Sequence, residues 1–182
     1  YFQPPVGGNS GIYRSIDGGQ NWLAVGGAGL PEGPLGRIEL AVAPGTEAPR
    51  VWASVEAGDG GGVYRSDDGG HHWKLVNDDS HLVGSYMGWL TADPQNADTV
   101  WAGGQPLRRS TDGGETFIIV KSAPGGDDYH ALWIDPTDTR RMITGADQGA
   151  VVTFNGGVSW SSWFNQPTGQ FYRVAVDNDF PY

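Results

Sequence analysis

Asp127, Asp128, Tyr129 and His130 stand in one run, and Asp147-Gln148 follows a short distance on. With Asp79, these are the residues whose types suit chemistry. Hydrolysis of a sugar–sugar bond needs two carboxylates facing it, about 5–5.5 Å apart for retention or about 6.5–9.5 Å for inversion. Adjacent Asp127 and Asp128 point to opposite sides of an extended chain and make a poor pair. Asp127 with Asp147 is the better catalytic pair. The alternative is recognition without catalysis. Tyr86, Trp89, Tyr129, Phe171 and Tyr172 offer aromatic faces beside the polar groups of Asp79, Asp128, His130, Gln148 and Gln170. That combination suits a glycan or a peptide. Trp89 and Tyr172 open strand-like runs, where an aromatic also suits the core. Loop aspartates also build turns and solubilise a surface with no further role. The histidines do not fall at a metal-binding spacing, and no D-x-D-x-D-G loop occurs. No metal and no cofactor is expected.

These residues lie between copies of one phrase. Ser15-Ile16-Asp17-Gly18-Gly19-Gln20-Asn21-Trp22 returns as Ser66-Asp67-Asp68-Gly69-Gly70-His71-His72-Trp73. It returns as Ser110-Thr111-Asp112-Gly113-Gly114-Glu115-Thr116-Phe117 and, more loosely, as Thr153-Phe154-Asn155-Gly156-Gly157-Val158-Ser159-Trp160. The intervals are 51, 44 and 43 residues. A period in that range marks stacked supersecondary units. Asp-Gly or Asn-Gly between short apolar runs is a hairpin signal, because tight turns need residues that tolerate positive φ. The Asp or Asn oxygen and the Ser or Thr hydroxyl can hydrogen-bond nearby backbone, and the closing aromatic covers the turn. Asn155 keeps that shape without the charge. Asp17, Asp68 and Asp112 are therefore structural, as are Ser15, Gly19, Trp22, Ser66, Gly70, Trp73, Ser110, Gly114, Phe117, Gly157 and Trp160.

A second motif alternates with the first. Leu40-Ala41-Val42-Ala43-Pro44 leads to Val51-Trp52-Ala53, Leu90-Thr91-Ala92-Asp93-Pro94 to Val100-Trp101-Ala102, and Leu132-Trp133-Ile134-Asp135-Pro136 to Met142-Ile143-Thr144. Each is a pair of short strands around a proline-marked turn. One unit is thus four antiparallel strands in about 43 residues, which fits a propeller blade. Residues 11–26 supply a half blade, 37–77, 87–121 and 129–164 full blades, and 171–177 the first strand of another. The chain 1–182 reads as one β-propeller segment, about three full blades with partial blades at both ends. Strand order puts the proline turns and the repeated phrase on one face. The longer loops, which carry Asp79, Asp127, Asp128, Asp147 and the aromatics, fall on the other.

The S-x-D-G-G-x-x-W phrase resembles the Asp-box, or BNR repeat, of sialidases, oligoxyloglucan hydrolases and sortilin ectodomains. Gly29 to Ile38, Asn77-Asp78-Asp79, His130 to Pro136, and Phe154-Asn155-Gly156-Gly157 leading to Asn165 through Tyr172 extend the likeness over nearly the whole chain. Together they resemble large secreted, sortilin-like BNR-repeat proteins of bacteria, often labelled glycosyl hydrolases. The resemblance implies an all-β Asp-box propeller of four-stranded antiparallel blades, secreted or in the bacterial cell envelope. In the hydrolases it resembles, the two carboxylates come from different propeller halves, so a partial propeller would lack one. The arginine triad, nucleophilic tyrosine and partner glutamate of a sialidase are not identifiable as a set.

Composition fits this reading. Glycine is 30 of 182 residues, and the excess falls in turns. There is no cysteine, which excludes disulfides and thiolate chemistry. The formal charge of −10 disfavours nucleic acid and anionic lipid. No run approaches the length of a membrane span, and no basic leader is present. The expected role is a non-catalytic binding or scaffold module, in which further blades or another chain complete the propeller around a glycan or protein partner. The alternative is part of a glycoside hydrolase site built from loop carboxylates.

Overall fold

The computed structural model describes residues 10–25, 28–44, 48–84 and 88–164. The strand expected at 171–177, and the candidates Tyr86, Gln170, Phe171 and Tyr172, lie outside these residues. Apart from one turn of 3-10 helix at Ser80–Leu82, the regular structure described is β-strand. No helix among the described residues is long and apolar enough to cross a membrane.

The strands form four antiparallel meanders, each joining sequence neighbours. β1 (Tyr13–Arg14) pairs β2 (Leu23–Ala24). The second sheet is β3 (Leu35–Val42), β4 (Val51–Ala57), β5 (Gly62–Ser66) and β6 (Lys74–Asn77). The third is β7 (Trp89–Ala92), β8 (Val100–Gly103), β9 (Leu107–Ser110) and β10 (Ile118–Lys121). The fourth is β11 (Ala131–Ile134), β12 (Met142–Ala146) and β13 (Gly149–Thr153). Four strands are expected in 129–164 and three form regular ladders. The Ser161 N–H still donates to the Val152 carbonyl at 2.8 Å, but the return bond from the Val152 N–H goes to the Ser161 hydroxyl at 3.0 Å. A side-chain acceptor thus replaces the backbone one, and the ladder stops.

The sheets stack face to face. The central strands are apolar on both sides, as strands with two covered faces must be. In β4, Trp52 packs forward with Val63 against Leu90, Val100 and Ala102 of the next sheet. Its neighbours Ala53 and Val55 pack backward with Tyr64 and Trp73 against Ile12 and Val25. The third joint repeats this with Trp101, Leu107 and Tyr129 against Leu132, Ile134 and Met142.

The repeated phrase has one geometry in all four copies. The box hydroxyl donates to the Asp or Asn oxygen and accepts the N–H of the second glycine. For Ser66 these distances are 2.8 and 2.8 Å, for Ser110 2.7 and 2.8 Å, and for Thr153 2.9 and 3.1 Å. The Asp or Asn Oδ1 then takes the N–H four residues on: Asn21 at 2.9 Å, His72 at 2.9 Å, Thr116 at 2.9 Å and Ser159 at 3.0 Å. The Trp22 and Trp73 indoles donate to the second-glycine carbonyl, at 3.1 and 3.0 Å. Both glycines have positive φ in every copy, a region L-residues reach only with strain.

The first glycine of the second, third and fourth boxes ties two sheets together. Its N–H bonds the turn between the first two strands of its own sheet: Gly69 to the Pro49 carbonyl (3.1 Å), Gly113 to Asp98 (2.8 Å) and Gly156 to Arg140 (3.0 Å). Its carbonyl accepts a guanidinium N–H from the preceding sheet: Arg14 to Gly69 (3.0 Å), Arg65 to Gly113 (3.1 Å) and Arg109 to Gly156 (3.1 Å). The boxes and proline turns therefore share one face, and the other loops occupy the opposite one.

Three outcomes follow. Gly18 and Gly113 have nearly the same φ, +73° and +75°, but a Cβ at Gly18 meets nothing, whereas at Gly113 it collides with the Arg65 guanidinium. Gly113→Ala should lower the urea midpoint more than Gly18→Ala, by the loss of one charged hydrogen bond, about 1.5–3 kcal/mol. Ser66 is fully buried, and Ser66→Ala should cost about 1–3 kcal/mol by leaving the Gly70 N–H without its acceptor. The box aspartates set the acid limit. Asp17 is lowered to about 2 by the Asn21 N–H, then the Asn21 and Ser15 side chains. Burial works against Asp112, but the Thr116 hydroxyl and N–H outweigh it and hold it at about 2. Asp68 is lower still, chiefly through the His72 N–H. Folded values below the unfolded value of about 3.9 give stability that is whole above it and lost as pH falls toward 2. Denaturation midpoints should therefore fall between pH 5 and pH 2, the Asn155 box contributing nothing.

Candidate functional site

The face opposite the boxes carries the sequence candidates, and the loop before β11 meets the turn between β12 and β13 there. Gln148 clamps Asp127: its amide N–H donates to Asp127 Oδ1, and its Oε1 accepts the Asp127 N–H at 3.2 Å. His130 Nε2 lies 2.7 Å from Asp147 Oδ1. The two halves of the expected catalytic pair are each engaged by a neighbour, one neutral and one basic. Gln148 and His130 orient carboxylates in this structure.

Asp128 sits between them in a different condition. Its backbone has φ +54°, the only positive value at a non-glycine among the described residues. Its N–H donates to the Gln105 carbonyl at 3.2 Å, and its buried Oδ1 has no hydrogen-bond partner among the described residues. Burial first, then the charges of Asp127 and Asp147, raise its pKa above the usual carboxylate value, with His130 opposing. The same surroundings that raise it favour the protonated form of this carboxyl over that of an ordinary aspartate.

Tyr129 corrects the expectation of an exposed aromatic platform. It is fully buried, because its N–H pairs with the Gly104 carbonyl at 2.8 Å and pins it to the third sheet. Its hydroxyl donates to the Gly125 carbonyl at 3.3 Å. Burial, then Asp127, push the phenol up to about 12, so it stays neutral. Trp89 is half-buried. Its indole N–H donates to the Tyr129 carbonyl at 2.8 Å, and it occupies the space a Cβ on Gly103 would need. Both aromatics support the loop.

Sequence reasoning missed the aromatics that do reach this loop. Trp163 lies against Gly126, where a Cβ would strike its ring, and Lys121 Nζ stands 4.7 Å from the ring centroid. Phe164, beside it at 6.2 Å between centroids, is 89% exposed. The available signal was position: Ser161-Ser162-Trp163-Phe164 leads out of the box exit toward the loop face, as Asn77-Asp78-Asp79 does two sheets earlier.

Asp79 lies apart. Its Oδ1 accepts the His81 N–H (2.9 Å) and faces His81 Nδ1 (2.7 Å), capping the 3-10 turn. Those contacts, the His81 N–H first, lower its pKa. No described hydrogen bond joins it to the Asp127 cluster. No group of three or more described His, Asp or Glu side chains is placed to hold a metal ion.

No family profile matches the chain. A probable oligoxyloglucan-reducing end-specific xyloglucanase of Neosartorya fischeri is 28% identical over 127 residues, covering 66% of this chain and 14% of its own. A xyloglucanase of a Paenibacillus species is 29% identical over 213 residues, covering 92% of this chain and 21% of its own. The chain is a propeller segment distantly related to xyloglucanases. Solved structures agree on the fold. The Niastella koreensis GH74 enzyme superposes with a TM-score of 0.56 at 18% identity, over 71% of this chain and 22% of that one. The Xanthomonas campestris GH74 xyloglucanase gives 0.55 at 19%, over 72% and 24%. The segment thus spans less than a quarter of each of these relatives.

The state of Asp128 is measurable. A carboxyl whose folded pKa lies above its unfolded one withdraws stability as pH rises through that interval. Asp128→Asn should therefore raise the unfolding midpoint at pH 7, and the gain should shrink below pH 4. Asp128→Gly should also gain about 1 kcal/mol by releasing the positive-φ strain. A flat pH dependence of the Asn gain would show that folding does not raise the pKa of this carboxyl.

Proposed function

We propose that this segment contributes part of a polysaccharide-binding face to an Asp-box propeller outside the cytoplasm, and that its ligands are glucan chains of the xyloglucan type. The observation that carries this reading is the convergence of Asp127, Asp128, His130, Asp147 and Gln148 on one face, at a loop whose Gly126 lies against Trp163, the ring neighbour of the exposed Phe164. Sugar rings stack on aromatics while their hydroxyls pair with carboxylate, amide and imidazole groups, and this loop offers both. The similarity to named xyloglucanases supports the choice of ligand class. Affinity electrophoresis in xyloglucan gels should retard the chain. Phe164→Ala and Asp147→Ala should each weaken retardation about tenfold without moving the unfolding midpoint. Equal mobility of all three with and without polysaccharide would sink the reading.

A second reading is favoured by Asp128 alone. A carboxyl raised by burial and by two neighbouring carboxylates has the character of a general acid. In that reading the segment supplies one half of a hydrolytic pair and another part of the propeller supplies the other. Release of reducing ends from xyloglucan by a propeller containing the segment, abolished by Asp128→Asn with binding retained, would distinguish hydrolysis from binding.

A further inference from the structure

Five times in this chain an aspartate or asparagine is followed directly by glycine: at Asp17, Asp59, Asp68, Asp112 and Asn155. Such a pair is chemically labile. The glycine nitrogen, with no side chain beside it, can attack the Cγ of the preceding residue and close a five-membered succinimide. Four of the pairs belong to the boxes, and there the side chain is committed. Asp68 accepts the Ser66 hydroxyl at 2.8 Å and the His71 and His72 N–H groups at 3.0 and 2.9 Å. Asp112 accepts the Ser110 hydroxyl at 2.7 Å and the Thr116 N–H at 2.9 Å. Asn155 accepts the Thr153 hydroxyl and the Ser159 N–H, and its amide donates to Ser159 Oγ at 2.8 Å. The attacking nitrogens are committed as well, since the Gly69, Gly113 and Gly156 N–H groups donate to the Pro49, Asp98 and Arg140 carbonyls. The His72 N–H first lowers the Asp68 pKa, and at Asp112 the Thr116 hydroxyl and N–H outweigh burial, so both stay ionised. An ionised carboxylate has no hydroxyl to lose as water.

Asp59-Gly60 is built differently. It lies in the turn between β4 and β5, on the face opposite the boxes, and both residues are exposed. No described hydrogen bond engages the Asp59 carboxylate or the Gly60 N–H. The turn is held through the Gly60 carbonyl, which accepts the Tyr64 hydroxyl at 2.5 Å. That bond leaves the nitrogen free. Gly58, Gly61 and Gly62 flank the pair and add no Cβ to restrain the backbone.

We propose that Asp59 is a covalent modification site at which the folded chain converts aspartate to isoaspartate, and that the box hydrogen bonds protect Asp68, Asp112 and Asn155 from the same chemistry. The Gly60 nitrogen bonds Asp59 Cγ, and the protonated carboxyl gives up its hydroxyl, which departs as water with the amide proton. One water then adds to the ring. Cleavage of the new N–Cγ bond returns aspartate. Cleavage of the original peptide C–N bond leaves Gly60 joined through Cγ, which is isoaspartate. The water lost equals the water gained, and nothing is oxidised or reduced. At Asn155 the leaving group is ammonia, and the net reaction is deamidation. Isoaspartate inserts one methylene into the main chain of the turn and moves the carboxylate to the α-carbon. The β4–β5 turn holds the place on the second sheet that Asp147-Gln148 hold on the fourth. The conversion therefore alters the loop face and leaves the box face as it is. This chemistry is independent of whether the loop face binds polysaccharide.

The test uses the unaltered full chain, held in mildly acidic buffer either folded or in concentrated urea. Samples are digested at intervals, and isoaspartate is located in the peptides by electron-transfer fragmentation. In the folded chain it should build up at Asp59 about tenfold or more faster than at Asp68 or Asp112, because a box reacts only in its opened fraction. In urea the three rates should converge. Asn155, followed by its mass gain in mildly alkaline buffer, should deamidate in urea and resist in the folded chain. Asp59→Glu, which would have to close a six-membered ring, should remove the signal at that position and leave the unfolding midpoint unchanged. Box sites that react as fast as Asp59 in the folded chain would overturn the proposal. So would a folded chain that forms no isoaspartate at Asp59 while the chain in urea does.

Discussion

The first glycine of the second, third and fourth Asp-boxes is the point on which the rest of this molecule depends. Its N–H closes the box against the turn of its own sheet, and its carbonyl receives an arginine from the sheet before. One peptide group therefore joins the secondary structure of one blade to the packing of the next. A side chain there would strain the backbone, and at Gly113 it would also displace the arginine. The box hydroxyl and Asp oxygen hold that glycine in a conformation it would not otherwise keep. The aspartate is spent on backbone N–H groups, which is why asparagine serves in the fourth copy.

Locking one face leaves the other free to vary. The loops between sheets carry no repeated phrase and few backbone bonds of their own, and they differ in length and content from one joint to the next. Asp79 caps a 3-10 turn in one of them. In another, Asp127 with Gln148 and His130 with Asp147 form two hydrogen-bonded pairs near Asp128. Rigid strands with variable loops at one edge are a common arrangement for recognition. The electrostatics differ accordingly. Box aspartates have lowered pKa values because donors surround them, whereas Asp128 is raised because burial and two carboxylates do.

Much of this was legible in the residues. The spacing of the boxes and the Pro-marked turns located the sheets and the meander order, because each turn needs specific chemistry at fixed offsets. The separation of the two faces followed from strand parity. The site was legible only in part. Pairing of Asp127 with Asp147 rested on both being loop carboxylates of one unit, and the structure ties each to a separate partner. Tyr129 looked like a platform because it neighbours the aspartates, yet the bridge to Gly104 turns it into the core. Trp163 and Phe164 went unnoticed because nothing local separates an aromatic that closes a strand from one that overlooks a loop.

By itself, then, the sequence determined the repeating blade, since hairpin turns, hydroxyl–carboxyl pairing and glycine's positive φ are local physics written in eight residues. Only the tertiary structure decided which carboxyl is held apart from its partners, which aromatics face outward and which carbonyl each arginine reaches. Those are properties of sheets brought together by stacking, and burial, charge proximity and cross-sheet hydrogen bonds arise only once residues distant in sequence share one surface.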